Sequence, residues 1–307
     1  MSARNAAPFI AETIESVLNQ SFADFEFLMV SNASTDDTGA IMQQYAARDA
    51  RISVIQHPVP GWTAAVNKAM RAAKSAWIAR IDADDVMLPN RLERQWRAIQ
   101  QEPDVILWGS YAYQINLAGE VVGSIEHGPT TREEFNARLK TGEPVFILNP
   151  TTIFRKDIAL ACGGFDETLV AAGDEELWDR MRVHGPMLVI PEKLIKYRVH
   201  SGSLTAAHAR TQALVHRFII ARATARNAGR ELTLAQFTAD RQRRPWYDRL
   251  NEYRFETGRI LYRRSGSHLL TGRKARGALE LIGAAVVAPH FTISRLWSRY
   301  RRGRGST

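Results

Sequence analysis

Three carboxylates fall within four positions at Asp82-Ala83-Asp84-Asp85, where the short apolar run Trp77 to Ile81 ends. Carboxylates crowded at the mouth of a strand repel one another and resist burial. A divalent cation among them relieves both costs, because hard cations take oxygen ligands and keep positions open for substrate phosphates. The chemistry on offer is metal–diphosphate binding. Taken alone, the same residues also fit a solvated loop with an aspartate capping the helix that Pro89 opens. Asp174 precedes the apolar pair Leu177-Trp178, where local sequence reads it as a helix N-cap. His200 is a lone histidine, a residue type that serves structure more often than metal binding.

The elements that must hold these residues alternate between strand and helix signals over the first hundred positions. Phe25 to Val30, Ile52 to Ile55 and Trp77 to Ile81 read as strands. Ser34-Thr35-Asp36-Asp37 supplies an N-cap for a helix carrying Ile41 and Tyr45. Thr63 to Ala73 and Pro89 to Gln100 read as further helices. This βαβαβα order predicts a mostly parallel, doubly wound sheet. Ligands of such sheets bind beyond the carboxyl ends of the strands, where Ser31–Asp36 and Asp82–Asp85 both fall. Farther on, Val105–Ile115 and Glu120–Ile125 read as strands joined by a turn at Ala118-Gly119. Thr131–Lys140, Lys156–Ala161 and Asp174–His184 read as helices, with short strands at Asn149–Phe154, Met187–Ile190 and Leu194–Val199. Beyond Ser203 nearly everything reads as helix: Thr205–Asn227, Trp246–Arg264 and Thr271–Val287, then a basic tail from Phe291 to Arg304.

Composition divides the chain in two. The 307 residues carry a net charge of +9. Residues 1–207 hold 20 Lys+Arg against 26 Asp+Glu, whereas residues 208–307 hold 21 against 6. The parts therefore have different electrostatic tasks. A single cysteine, Cys162, excludes an internal disulfide and suits a reducing, cytoplasmic setting. The N-terminus has no signal-peptide core, and the longest apolar stretch, Leu279 to Pro289, is too short to span a bilayer.

An ordered series of motifs from Asn5 to about Thr205 resembles the inverting glycosyltransferases of family 2, which have the GT-A fold. Asn5 to Gln20 is similar to the family's first helix, and Val30 to Thr38 to its nucleotide loop. Gly61 to Asn67 resembles a turn-and-helix segment. Ala79–Asp85 followed by Leu88–Leu92 resembles the D-x-D region. Gly163–Glu167 and Gly173–Trp178 resemble the acceptor segment, and Tyr197-Arg198-Val199-His200 with Ser203 resembles the end of the catalytic domain. Each motif is weak alone; their order is not.

The resemblance implies a GT-A domain over residues 1–205, with a nucleotide-binding part (1–116) and an acceptor part (117–205). A basic helical region follows at 206–307. It implies Mg²⁺ or Mn²⁺ held by Asp84, with Asp82 on the ribose and metal side and His200 as a further metal or diphosphate contact. Asn5, Ser31, Asn32, Asn67, Arg80 and Asp82 would bind the nucleotide-sugar. Asp174 would be the general base of an inverting transfer onto a saccharide or lipid-linked saccharide, in the synthesis of a surface polysaccharide or glycan. Asp85 either supports the metal ligands or caps the helix at Pro89, and Trp178 is core or a wall of the acceptor pocket.

Two departures from the family pattern matter. Ser31 and Asn32 stand where the nucleotide loop commonly has two aspartates. The apolar first strand that normally precedes Asn5 is absent, which points to a start codon set too far downstream or to a truncated copy. The second explanation leaves an inactive GT-A-like binding or scaffold protein as the alternative function. A nucleotidyltransferase would need a glycine- and basic-rich phosphate loop after the first strand, and none is found.

The arginine-rich C-terminal third lacks the aromatic interleaving of nucleic-acid binders, so no nucleic-acid partner is expected. Leu261, Leu269, Leu270, Ile282, Val286, Val287, Ile293, Leu296 and Trp297, flanked by Arg299, Arg301, Arg302 and Arg304, instead suit helices lying on an anionic membrane. The expected location is cytoplasmic, with a peripheral position at the inner membrane face.

Overall fold

The computed structural model describes residues 1–200, 207–270 and 273–304. The chain divides into two compact units, Met1–Arg198 and Val199–Thr307. Ser203 and the boundary expected at 205/206 lie outside the described residues.

In the first unit, a parallel sheet in the order β1-β2-β3 joins Ser2–Ala3 (β1), Phe27–Asn32 (β2) and Ile52–His57 (β3). Ser2 pairs with Val30, and Phe27 with Ile52. The helices between them are Ile10–Leu18 (α1) and Thr38–Ala46 (α2). In α1 the spacing of Ile10, Ile14 and Val17 puts all three on one buried face. The two-residue β1 corrects the expectation that no strand precedes this helix. Although Ala3 is buried in the core, two residues are too few for hydrophobic patterning to register.

The second sheet has the order β4-β8-β6-β9-β5, with β7 paired to β6. Its strands are Trp77–Ala79 (β4), Val86–Met87 (β5), Leu107–Ile115 (β6), Val121–Ile125 (β7), Ile153–Arg155 (β8) and Met187–Arg198 (β9). Only the β6–β9 pairing is parallel; β4–β8, β6–β8, β6–β7 and β5–β9 are antiparallel. Parallel pairing thus holds in the first three strands, and the remainder is mixed. Helices Trp62–Ala72 (α3), Arg91–Gln101 (α4), Arg132–Thr141 (α5), Lys156–Ala161 (α6) and Gly173–Met181 (α7) pack around it.

Two strands expected over 187–199 form one. Pro191 interrupts the apolar pattern, but the chain absorbs it where the β6 register shifts between Ser110 and Ala112. A bulge leaves a residue outside the ladder, so a proline without an N–H fits there. Asn149–Thr151 forms a 3₁₀ turn in place of the start of a strand. A cavity of about 260 Å³ lies between Phe25–Leu28 on one side and Trp77–Ile81 on the other, floored by Val66 and Met70.

In the second unit, the described helices are Ala209–Asn227 (α8), Leu234–Arg243 (α9), Trp246–Leu270 (α10), Lys274–Val287 (α11) and Pro289–Arg304 (α12). Helix α9 was not foreseen, and Thr233 and Gln236 close a capping box at its start. Arg241 donates to Glu252 at 2.8 Å and, with Arg217, pairs Glu256. These ion pairs join α8, α9 and α10.

Candidate active site

The acidic loop Arg80–Asp85 leaves β4 at one edge of the mixed sheet and enters β5 at the other. Its path is fixed by buried donors rather than by its own turn preferences. Arg80 N donates to Thr152 O at 2.8 Å, tying the loop to the start of β8. The buried Arg91 guanidinium donates to Arg80 O at 2.8 Å and to Thr152 O at 3.2 Å. From β9, Arg198 N donates to Asp85 Oδ1 at 2.8 Å, and Arg198 Nε to Asp84 O at 2.8 Å. The other arms of that guanidinium reach Asn116 O and Glu12 Oε2, and the group stacks on Phe9. Arg91 and Arg198 do not stand out in the sequence as supports of this loop. The contacts of Arg91 with Thr152 and of Arg198 with Asp84 span 61 and 114 positions, and no local spacing announces them.

Asp85 is fully buried, and its Oδ2 has no hydrogen-bond partner. It does not cap a helix: Asn90 precedes α4, and Gln20 Oε1 accepts from Leu92 N at 3.0 Å. The capping reading of Asp85 is therefore replaced by a buried role behind the loop. Burial raises its pKa well above the ordinary carboxylate range, with repulsion from Asp84 and Asp82 adding to it. Asp82 is raised as well, chiefly by burial, although Arg80 Nη2 donates to its Oδ1 at 3.2 Å. Asp84 is half-buried beside them.

Asp174 arrives from α7, 92 positions after Asp82, yet the two carboxylates repel one another and both attract Arg80. Burial raises the Asp174 carboxyl to about 7, helped by Glu175 and Asp82 and opposed by backbone hydrogen bonds. Its local backbone is specified closely. Ala172 sits at φ 58, a left-handed conformation uncommon for a residue with a Cβ. A Cβ at Gly173 would stand 3.0 Å from Thr63 Cγ2, so α7 starts hard against the start of α3. Arg180 pairs with Glu176 and donates to Gly164 O at 2.7 Å, binding α7 to the Gly163-Gly164 turn. Trp178 is core: it is fully buried and meets Phe154 edge-on at 5.2 Å.

The other nucleotide-side residues divide. Asn32 Oδ1 accepts from Gly61 N at 3.1 Å, and Ser31 is buried beside Gly39, both at the carboxyl end of β2. Asn5, at φ 51, accepts from Thr35 N at 2.9 Å and so holds the loop after β2. Asn67 is spent elsewhere. Its Nδ2 donates to Phe165 O at 2.8 Å and Glu167 Oε1 at 2.9 Å, while its Oδ1 accepts from Phe165 N. It anchors the Gly163–Glu167 segment to α3, rather than offering an amide to a ligand. His200 is half-buried and belongs to the second unit.

Among the described residues, no three His, Cys, Asp or Glu side chains form a ready-made metal cage. The donor set suits a cation that needs less. Asp82 and Asp84 offer carboxylates, and behind them Asp85 keeps an unpartnered buried oxygen. Mg²⁺ or Mn²⁺ is commonly held by one or two carboxylates, with phosphates and water completing the shell.

The family model for glycosyl transferase family 2 matches residues 1–161, half of the chain. This chain belongs to glycosyltransferase family 2. Among its relatives, an uncharacterized glycosyltransferase of Methanocaldococcus jannaschii is 30% identical over 194 residues, covering 62% of this chain and 66% of its own. The O-antigen biosynthesis glycosyltransferase WbnJ of Escherichia coli is 29% identical over 203 residues, covering 64% and 76%. Solved structures share the fold of this family 2 member at lower identity. TarS of S. aureus in complex with UDP-GlcNAc superposes with a TM-score of 0.58 at 16% identity, over 93% of this chain and 89% of its own. The mannosyltransferase PcManGT of Pyrobaculum calidifontis, in complex with GDP-Man and Mn²⁺, gives 0.57 at 16%, over 99% and 80%. The fold of this family 2 member is thus GT-A, α/β with a mixed sheet and a helical C-terminal region.

Proposed function

We propose that this chain is an inverting, metal-dependent glycosyltransferase. In this reading it moves a sugar from a nucleotide-diphosphate sugar to a saccharide or lipid-linked saccharide acceptor in polysaccharide synthesis. The observation that carries the reading is Asp174: a half-buried carboxyl, raised to about 7 by desolvation and held beside Arg80 and the acidic loop. A base with a pKa near the working pH takes a proton most effectively. The acceptor hydroxyl oxygen bonds to the anomeric carbon from the face opposite the diphosphate, its proton passes to the Asp174 carboxylate, and the anomeric C–O bond breaks with its electrons on the leaving diphosphate. One displacement inverts configuration. Ser31 and Asn32 orient the base and ribose, and Arg80 fixes Asp82 toward the donor. Asp84 and Asp82 would hold Mg²⁺ or Mn²⁺, whose charge offsets that growing on the leaving group. The donors named for TarS and PcManGT, UDP-GlcNAc and GDP-Man, support a nucleotide-sugar without choosing the base.

The test is nucleotide-diphosphate release from a panel of UDP-, GDP- and dTDP-sugars, with Mn²⁺ and with chelator. Turnover should require metal, and Asp174→Asn should lose roughly 10²–10⁴-fold. Asp84→Ala should abolish the metal response. Metal-independent release, or none from any donor, would sink the enzymatic reading in favour of a binding protein.

A further inference from the structure

Helices α11 and α12 each leave a stripe of large apolar residues exposed. Where α11 meets α10 the contact is made by small residues: a Cβ at Gly277 would stand 2.8 Å from Leu269 Cγ, and one at Gly258 would overlap Ala288. Gly277 and Ala284 are the buried positions of α11. Three large apolar residues of α11 face the other way. Leu279, Ile282 and Val286 are 70%, 61% and 72% exposed. At 3.6 residues per turn these three fall within about 60° of one another, a single stripe. On α12, Thr292 is buried with its hydroxyl on Ala288 O, while Ile293, Leu296 and Trp297 are exposed at the same helical spacing. A helix that served only the core would turn such residues inward.

The charge around the stripe indicates what covers it. Arg273, Lys274 and Arg276 are exposed at the start of α11, where Arg276 lies about one turn before Leu279. Arg259 of α10 has Arg217, Arg263 and Arg295 near enough to repel it. Residues 208–307 carry 21 Lys+Arg against 6 Asp+Glu. Nucleic acid would match the charge but has no use for Leu, Ile and Val side chains. A second copy would bring the same positive field against itself. An anionic lipid surface meets both features, with aliphatic side chains among the acyl chains and arginines at the phosphates. Among the described residues no helix is long and apolar enough to cross a membrane, so these helices would lie on it.

We propose that the outer faces of α11 and α12 dock this protein on an anionic lipid bilayer, independently of its catalytic role. The whole chain is mixed with vesicles of phosphatidylcholine, alone or with phosphatidylglycerol, and bound protein is measured by co-sedimentation. Binding should need the anionic lipid and weaken as salt rises. Ile282→Glu with Val286→Glu should cut it by about tenfold or more. The milder pair Ile282→Ser and Val286→Ser should cut it less. Circular dichroism and nucleotide release should match those of the parent chain, because both positions lie on an exposed face. Equal binding to neutral and anionic vesicles, no binding to either, or unchanged binding by both variants would overturn the proposal. A dimer in light scattering that the glutamates dissociate would overturn it too, by assigning the stripe to a second copy.

Discussion

Asp174 has two expected behaviours that one substitution separates. A carboxyl raised to about 7 in the folded chain and near 4 when unfolded binds its proton more tightly when folded. Its contribution is fully present below about pH 4 and is lost as pH climbs through 7. Asp174→Asn removes that dependence. In the presence of chelator, the variant should therefore be more stable than the parent at pH 7.5, with the difference shrinking toward pH 4. Urea midpoints measured across that range check it, and a difference that grows on acidification would contradict the account of a desolvated carboxyl. The same variant should turn over roughly 10²–10⁴-fold more slowly, the expected trade between activity and stability at a strained site. From local sequence this residue read as a helix cap. Burial and the proximity of Asp82 come from tertiary packing, which neighbouring residue types do not encode.

At the scale of elements, the acidic loop was legible and its supports were not. A short apolar strand followed by clustered carboxylates is a local pattern, so Asp82, Asp84 and Asp85 could be singled out directly. What holds them is Arg198, in a segment whose residue types mark His200, two positions later, as the candidate ligand. The Arg198 guanidinium and backbone serve Asp84 O, Asp85 Oδ1, Asn116 O and Glu12 together. Lysine keeps the charge but not the planar fork, so Arg198→Lys would leave several of these acceptors without donors. The expected result is a loss of roughly 1–3 kcal/mol in urea unfolding and about 10–100-fold weaker apparent Mn²⁺ affinity in the release assay. Stability lost with metal response unchanged would make Arg198 structural only. The turn at Gly163-Gly164 was flagged through resemblance, and its physical reason is a contact. Gly164 sits at φ 72, and a Cβ there would lie 2.7 Å from Asn67 Oδ1. Gly164→Ala should cost about 1–3 kcal/mol in the same urea assay. It would disturb the Arg180 anchor that aims α7.

At the scale of the whole molecule, sequence patterning and packing agree on where the cores lie. Both large hydrophobic clusters, one around Trp178 and Phe154 and the other around Ile14 and Met29, draw their members from residues before Arg198. Among the described residues, neither cluster has a member in the arginine-rich third. A chain ended at Thr205 should therefore fold alone and unfold as one cooperative calorimetric transition, with an enthalpy near 140 kcal/mol at about 60 °C from the usual per-residue value. It should retain metal-dependent nucleotide release while losing the vesicle binding assigned to α11 and α12. Absence of a cooperative transition would mean that the catalytic unit needs residues beyond 205 to fold. A folded fragment that still bound anionic vesicles would move the lipid contact out of the C-terminal helices. The residues proposed for catalysis sit in the part of the chain with an acidic excess, and the basic excess lies in the part with an outward apolar stripe. That division lets a single truncation test both readings separately, because each has its own readout and neither assay depends on the other's outcome.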